Sequence, residues 1–520
     1  MESFTLEGMF AYITETFFAG VIQSYQGQGL LEDTHLIQHE DHLEGFKRFN
    51  RNDTIFQEYD SPPQDDSNMA WKKSRPAKWW MSLWKAMKCV FCVQILGGIA
   101  LGSIAIAILI LDLNSVELCY DRQFHGNWST LPRNIQAIIV TAETVEAYVI
   151  QLWAFLLIST MFDWYLVKKL NLLILNFLGA FCDTCYRQYL QVFGVYQKSW
   201  MSYPLNGLFL IIVLLNSILV GREIARSTET VRSRQLKKTI TASSLLAAQL
   251  GFGIPIAFVL VYVLIPLYHG QNETYRAVIA GALPLVTAVP KVIVRLAAQR
   301  VDWLHPGDAH VLLSVLYIAS AIVFRVMQAD LSSLRLFILL SLAHGAVDLL
   351  ERLTIVIRDY LWYFIYKKLK GDTTMLCAKN FRTPRSMRFV ADMSIQLILG
   401  ESTSLIAAVG FIQLYGFMYN NIDNTPSFPE MTQFFVRVSI ALGIDFVFNS
   451  FSFWLQMSYL NIAVVRVWKK RWRKHLLVGF ILTVVTLCYF TAHLFAVVRD
   501  KHSSGYKPSE VNCTGPFSRF

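Results

Sequence analysis

The sequence is short of charge. Only 16% of its 520 residues are Asp, Glu, Lys or Arg, where a soluble globular chain carries about 25%. A folded body of this size cannot coat its surface with so few, so a set of soluble domains is excluded. Neither a phosphate-cradling glycine loop nor a nucleophile elbow appears. The eight cysteines (89, 92, 119, 182, 185, 377, 488 and 513) form no dense framework, so a disulfide-stapled secreted scaffold is excluded. Cys89-x-x-Cys92 and Cys182-x-x-Cys185 have a zinc-like spacing, but both lie in apolar surroundings, where a thiol behaves as a small hydrophobe. Residues 1–25 have no basic opening, and Glu7 and Glu15 interrupt them, so no signal peptide is expected there.

What the chain does have is apolar length. Hydrophobic residues make up 54% of it and the mean hydropathy is +0.40. Crossing roughly 30 Å of hydrocarbon at 1.5 Å per residue takes about 20 apolar residues. On that rule eleven spans are expected, at 89–111, 136–160, 170–194, 204–221, 240–267, 276–297, 309–328, 333–357, 393–418, 433–464 and 475–498. The fold class is therefore all-α: a polytopic helical membrane protein. Four regions follow, namely an acidic N-terminal region with short amphipathic helices (1–66), a basic Trp-rich juxtamembrane segment (67–88), a helix bundle (89–498) and a tail (499–520).

Charge orients this map. The net charge is +10, yet residues 1–66 hold 13 acids against 3 bases. The basic excess lies beside apolar runs, where Lys and Arg set topology, so nucleic acid is not an expected partner. Residues 71–88 hold six basic side chains, four Trp and no acid, the composition that meets an anionic cytoplasmic leaflet. With the N-terminus cytoplasmic, inner connections hold about 29 Lys and Arg and outer ones about eight, as the positive-inside rule requires. The C-terminus is then extracytoplasmic. The sequons at Asn127, Asn272 and Asn512 all fall outside and are expected to carry glycans, whereas Asn52 falls inside. Cys119 and Cys513 share the outer, oxidising face and are candidates for a disulfide. These features predict an integral protein of the secretory pathway, with the plasma membrane as its default.

Chemistry is sought among polar residues inside spans, because a charge at the bilayer centre is costly unless paired or hydrated. The eighth span places His344, Asp348 and Glu351 at i, i+4 and i+7 on one helical face, with Arg352 four beyond Asp348. Such a face can relay protons or hold a cation, or Asp348 can simply pair with Arg352. Glu143 and Glu146 in the second span can line an outer vestibule or lie hydrated at the interface. Glu401 heads a polar notch in the ninth span, and Asp445 and Asn449 form another in the tenth, two turns beyond Arg437. Gly251, Gly253 and Pro255 in the fifth span, and Pro284 and Pro290 in the sixth, mark expected helix breaks of the kind from which transporters build midplane sites. In the N-terminal region His35, His39 and His42 share a face, either a weak zinc or pH-sensing site or a solvated helix.

Together these groups predict a channel or secondary transporter for a small ion or solute, protons and cations first, with no cofactor and no catalytic residues. The alternatives are a receptor or scaffold that binds partners through the acidic N-terminal region, and a membrane-embedded transferase with His344 as base.

Overall fold

The computed structural model describes residues 79–115, 133–192, 203–259, 263–299, 301, 303–355, 358, 361, 362, 364, 365, 384–420, 428–458, 460 and 462–502. Expectations for His35, His39, His42, Cys119, Asn127, Asn512, Cys513 and residues 1–78 fall outside these.

Among the described residues the secondary structure is helical, without strands. The first continuous helix comprises α1 (Trp79–Val90), a π-helical turn (Phe91–Gly97) and α2 (Gly98–Ser115). The described helix thus already covers the ten residues before the expected first span, inside the basic Trp-rich segment. There Ala86 and Val90 are fully buried and Trp79 packs edge-on to Trp454, while Trp80 and Trp84 stay exposed. The chain continues through α3 (Arg133–Met161), α4 (Trp164–Lys169), α5 (Leu172–Val192), α6 (Tyr203–Thr228), α7 (Arg232–Val259), α8 (Ile265–His269) and α9 (Glu273–Ala298). It ends with α10 (Pro306–Ala309), α11 (Val311–Ala329), α12 (Leu334–Leu353), α13 (Pro384–Asn420), α14 (Phe428–Ser458) and α15 (Val464–His502).

Among the described residues seven helices are long and apolar enough to cross a membrane, at 79–109, 143–161, 203–228, 273–298, 306–329, 386–412 and 432–458. The expected eleven are thus met in part. The other four expected spans are also helical among the described residues, as α5, α7, α12 and α15. Asp183 and Arg187 interrupt α5, and α12 carries Arg335, His344, Asp348, Glu351 and Arg352. Runs of Lys and Arg open α7 and α15.

The helices expected to be kinked or broken are continuous: α7 runs through Gly251, Gly253 and Pro255, and α9 through Pro284 and Pro290. A proline costs a helix one hydrogen bond, and neighbouring helices in a bundle can tolerate that. Regular α-helix is interrupted instead at the π turn 91–97 and at Arg471, where φ is −125° and ψ 17°.

α13 is the hub. Of its most apolar stretch 89% is buried, and of that of α11 83%, against 31% for α9. Around α13 lie α2, α11, α14, α15 and the π turn. Its contact with α2 is close because small residues face each other. A Cβ added to Gly98 would stand 2.6 Å from the Ser402 Cβ, and one added to Gly102 would stand 2.6 Å from Ile406. Glycines four apart on one helix let backbones approach, the commonest route to tight association in lipid. On the periphery α6 shows the opposite face: Ile211, Leu214, Leu215 and Ile218 are exposed at i, i+3, i+4 and i+7. That is an apolar stripe of the kind a bilayer covers.

Candidate functional site

Three polar clusters lie buried among these helices. The first joins α3 and α5. Arg187 donates to Glu143 Oε2 at 2.7 Å and to Asp183 Oδ1 at 2.7 Å, and stands 3.4 Å from Glu146. Gln151 Nε2 donates to the second oxygen of Asp183 at 2.6 Å. Two turns away on α5, Asn176 exchanges amide hydrogen bonds with Asn216 at 2.9 and 3.1 Å, which fastens α5 to α6. Glu143 and Glu146 are therefore gathered onto one guanidinium, and Glu143 is buried.

The second lies where α13 and α15 meet α10 and α11. Arg388 donates to Asp392 at 2.6 Å, one turn along α13. His475 stands 3.0 Å from the same carboxylate and 3.3 Å from Gln396 Oε1. The ring of His310 lies 5.1 Å from that of His475. Beside them Asp308 receives Arg471 at 2.8 Å and also Lys474. Sequence reading passed over this cluster, because Asp392 falls just before the expected ninth span and His475 at the very start of the eleventh. The i, i+4 spacing of Arg388 and Asp392 was the available signal.

The third cluster occupies the centre, between α11, α12, α13, α14 and the π turn. Arg325 donates to Asp445 Oδ2 at 2.6 Å and to Gln328 Oε1 at 2.9 Å, and Gln328 Nε2 donates to Ser341 Oγ at 2.6 Å. Arg352 donates to Glu401 Oε2 at 3.0 Å and to Asn449 Oδ1 at 2.5 Å. Asn449 passes the chain on to Gln94 Oε1 at 3.4 Å, and Gln94 Nε2 donates to the Leu442 carbonyl at 2.9 Å. Gln94 stands on the π turn, a distortion found frequently at functional sites. His344 Nε2 lies 3.3 Å from Asp348 Oδ2, and its ring lies over Phe324 with centroids 4.2 Å apart. Ligand atoms of His344, Asp348 and Glu401 fall within 4.8 Å of one another.

Of the sequence-predicted candidates, then, His344, Asp348, Glu401, Asp445 and Asn449 come together. Glu351 does not join them: it turns to Arg358 at 3.0 Å and Arg295 at 3.7 Å. Arg352 does not pair with Asp348 either, because its two hydrogen bonds reach across to α13 and α14. Arg437 serves a packing role, donating to the carbonyls of Ala329, Leu331 and Ser332 at 3.0, 2.8 and 3.0 Å. Those are free carbonyls at and just beyond the end of α11, which a guanidinium satisfies well. The sequence offered no signal for Arg325 or Gln94 as members, since their partners lie far along the chain.

Chemically, the centre combines three carboxylates, two guanidiniums and one imidazole in an apolar bundle. Both guanidiniums are tied to carboxylates by direct hydrogen bonds. Asp348 is bonded to neither guanidinium; it stands beside the imidazole and Glu401, within the field of Arg352 and Lys291. Comparison with protein families, with curated proteins and with solved structures finds no match for the chain.

Proposed function

We propose that the protein is a multi-pass membrane channel or secondary transporter that moves a small ion or solute, a proton or cation first, along the polar path through the central cluster. One observation carries the reading: ionisable side chains of α11, α12, α13 and α14 meet among apolar helices, in two hydrogen-bonded chains that lie side by side, Ser341–Gln328–Arg325–Asp445 and Glu401–Arg352–Asn449–Gln94. Charges buried at such depth are costly and face functional paths far more often than packing requires. Asp348, held by neither guanidinium, supplies the exchangeable position, and His344 beside it is the side chain whose ordinary pKa suits proton hand-over.

The proposed orientation has the N-terminus cytoplasmic and the C-terminus outside, in a membrane of the secretory pathway, by default the plasma membrane. The excess of Lys and Arg on one set of connections supports it. So does Asn272, an exposed sequon residue at the start of α9 on the proposed outer side, whose side chain caps the helix by accepting from Tyr275 N–H at 3.4 Å. A second reading, His344 as general base of a transferase, draws on the short approach to Asp348. It is the weaker one, because that pair is not aligned as a hydrogen bond and so does not orient the ring.

The test is flux in proteoliposomes under imposed potential and pH gradients, wild type beside Asp348→Asn. The proposal expects proton or monovalent-cation flux that the substitution removes. Flux that survives unchanged would put the path elsewhere.

A further inference from the structure

We propose that His344, Asp348 and Glu401 form a binding site for a divalent first-row cation, Zn²⁺ or one of similar softness, with a coordination position left open. The inference deepens the transport reading and rests on it for what the ion does there, but not for whether the ion binds.

Four observations converge. The donor set is mixed, one imidazole nitrogen and two carboxylate oxygens, which suits zinc and its neighbours better than the all-oxygen sites of calcium or magnesium. The donor atoms lie within 4.8 Å of one another, drawn from α12 and α13. Two donors bound at about 2.1 Å to a tetrahedral ion stand about 3.4 Å apart. The His344–Asp348 separation of 3.3 Å already matches that edge, and only Glu401 has to close in. Thirdly, the side chain of His344 is nine-tenths buried and its Nε2 makes no hydrogen bond, although Asp348 Oδ2 is close by. Two atoms that approach without pointing at each other are placed as ligands of a common ion are. A buried unsatisfied nitrogen costs about 1–3 kcal/mol, which a bound cation would recover.

The fourth observation is the placing of charge. Asp348, Glu401 and Asp445 share the field of Arg325, Arg352 and Lys291, and neither guanidinium is bonded to Asp348. Arg325 is directed to Asp445 and Arg352 takes one oxygen of Glu401, so a second oxygen of Glu401 is available to an ion. Phe324 against the His344 ring holds it in place. Three protein ligands with an open position describe an exchangeable or reactive site, whereas a permanent structural zinc takes four.

The full-length protein, purified in detergent and stripped with chelator, is titrated with Co²⁺. Cobalt reports zinc-like coordination through its visible absorption. The proposal expects a saturable visible band at one cobalt per chain, displaced by Zn²⁺. His344→Ala, Asp348→Asn and Glu401→Gln should each weaken it roughly tenfold or more. Glu401→Gln also removes a partner of Arg352 and can lower stability, so the decisive variant is Asp348→Asn, which releases no guanidinium. Wild-type protein with no saturable band overturns the proposal, and so does a band that all three variants retain. Flux with no cobalt band rejects this site while keeping the transport reading. A cobalt band lost in Asp348→Asn, with no flux under any gradient, keeps the site and rejects transport.

Discussion

The α3–α5 cluster and the central cluster are built from the same side chains and do opposite things with them. Around Arg187 the contacts converge on one guanidinium, and both oxygens of Asp183 are taken. At the centre the two guanidiniums are tied to Asp445 and Glu401, while Asp348 and the Nε2 of His344 are left facing each other without a hydrogen bond. A closed ion cluster is packing material: it fixes one helix on another, and breaking it strands a charge. An open one retains capacity for a proton or an ion. What separates them is whether every carboxylate lies against a guanidinium: Glu143, Glu146 and Asp183 all do, and Asp348 does not.

The largest effect is expected from breaking the closed cluster. Arg187→Met would leave Glu143 and Asp183 buried without their counter-charge. Losing one partner of a buried ion pair costs about 3–5 kcal/mol. Thermal unfolding in detergent should show a large fall in midpoint, or no folded protein at all by size-exclusion elution. Asp348→Asn at the open cluster should do the reverse and change stability by less than about 1 kcal/mol, because no direct ion pair to a guanidinium is lost.

Between these lies the helix contact that carries the hub. Gly98→Leu would drive a side chain into Ser402 at a position where even a Cβ stands 2.6 Å from its neighbour. Overpacking of this kind costs about 1–3 kcal/mol. Gly443→Ala, where an added Cβ meets nothing within 4 Å, should leave the melting midpoint unmoved and so serves as its control.

The smallest effect is expected at Lys169, which lies between spans and pairs with Glu223. The hydrogen bond and charge of Glu223 raise the Lys169 pKa above its usual value near 10.5. A raised pKa means that the pair contributes wherever the lysine is charged and is lost only as pH climbs through the raised value. The melting difference between wild type and Lys169→Met should therefore be small and flat from pH 6 to pH 9. A difference that varied across that range would point to another group.

The central residues were legible because ionisable groups stand out against apolar runs. His344, Asp348, Glu401, Asp445 and Asn449 were all visible as polar positions in spans, and the structure brings them together. Their partnerships were not legible. The i, i+4 spacing suggested Asp348 with Arg352, yet the guanidinium reaches 49 residues along the chain to Glu401 and 97 to Asn449. Helical periodicity states which face a residue is on and says nothing about what arrives opposite. Gln94 and Arg325 stayed hidden for the same reason. Pro255, Pro284 and Pro290 read as kinks or breaks, and both helices stay continuous through them. Among the described residues α5 and α12 are not among the seven apolar spans, because Asp183 and Arg187 in the one and the charges of the other lower their hydropathy.

The contrast between the clusters is tested most directly by measuring flux per folded molecule in proteoliposomes for two neutralised carboxylates, Asp348→Asn and Asp183→Asn, each with its melting midpoint. The account predicts that Asp348→Asn abolishes proton or cation flux at an unchanged midpoint. It predicts that Asp183→Asn lowers the midpoint while the protein that remains folded conducts as wild type does. Undiminished flux in Asp348→Asn, or flux lost only in Asp183→Asn, would contradict it.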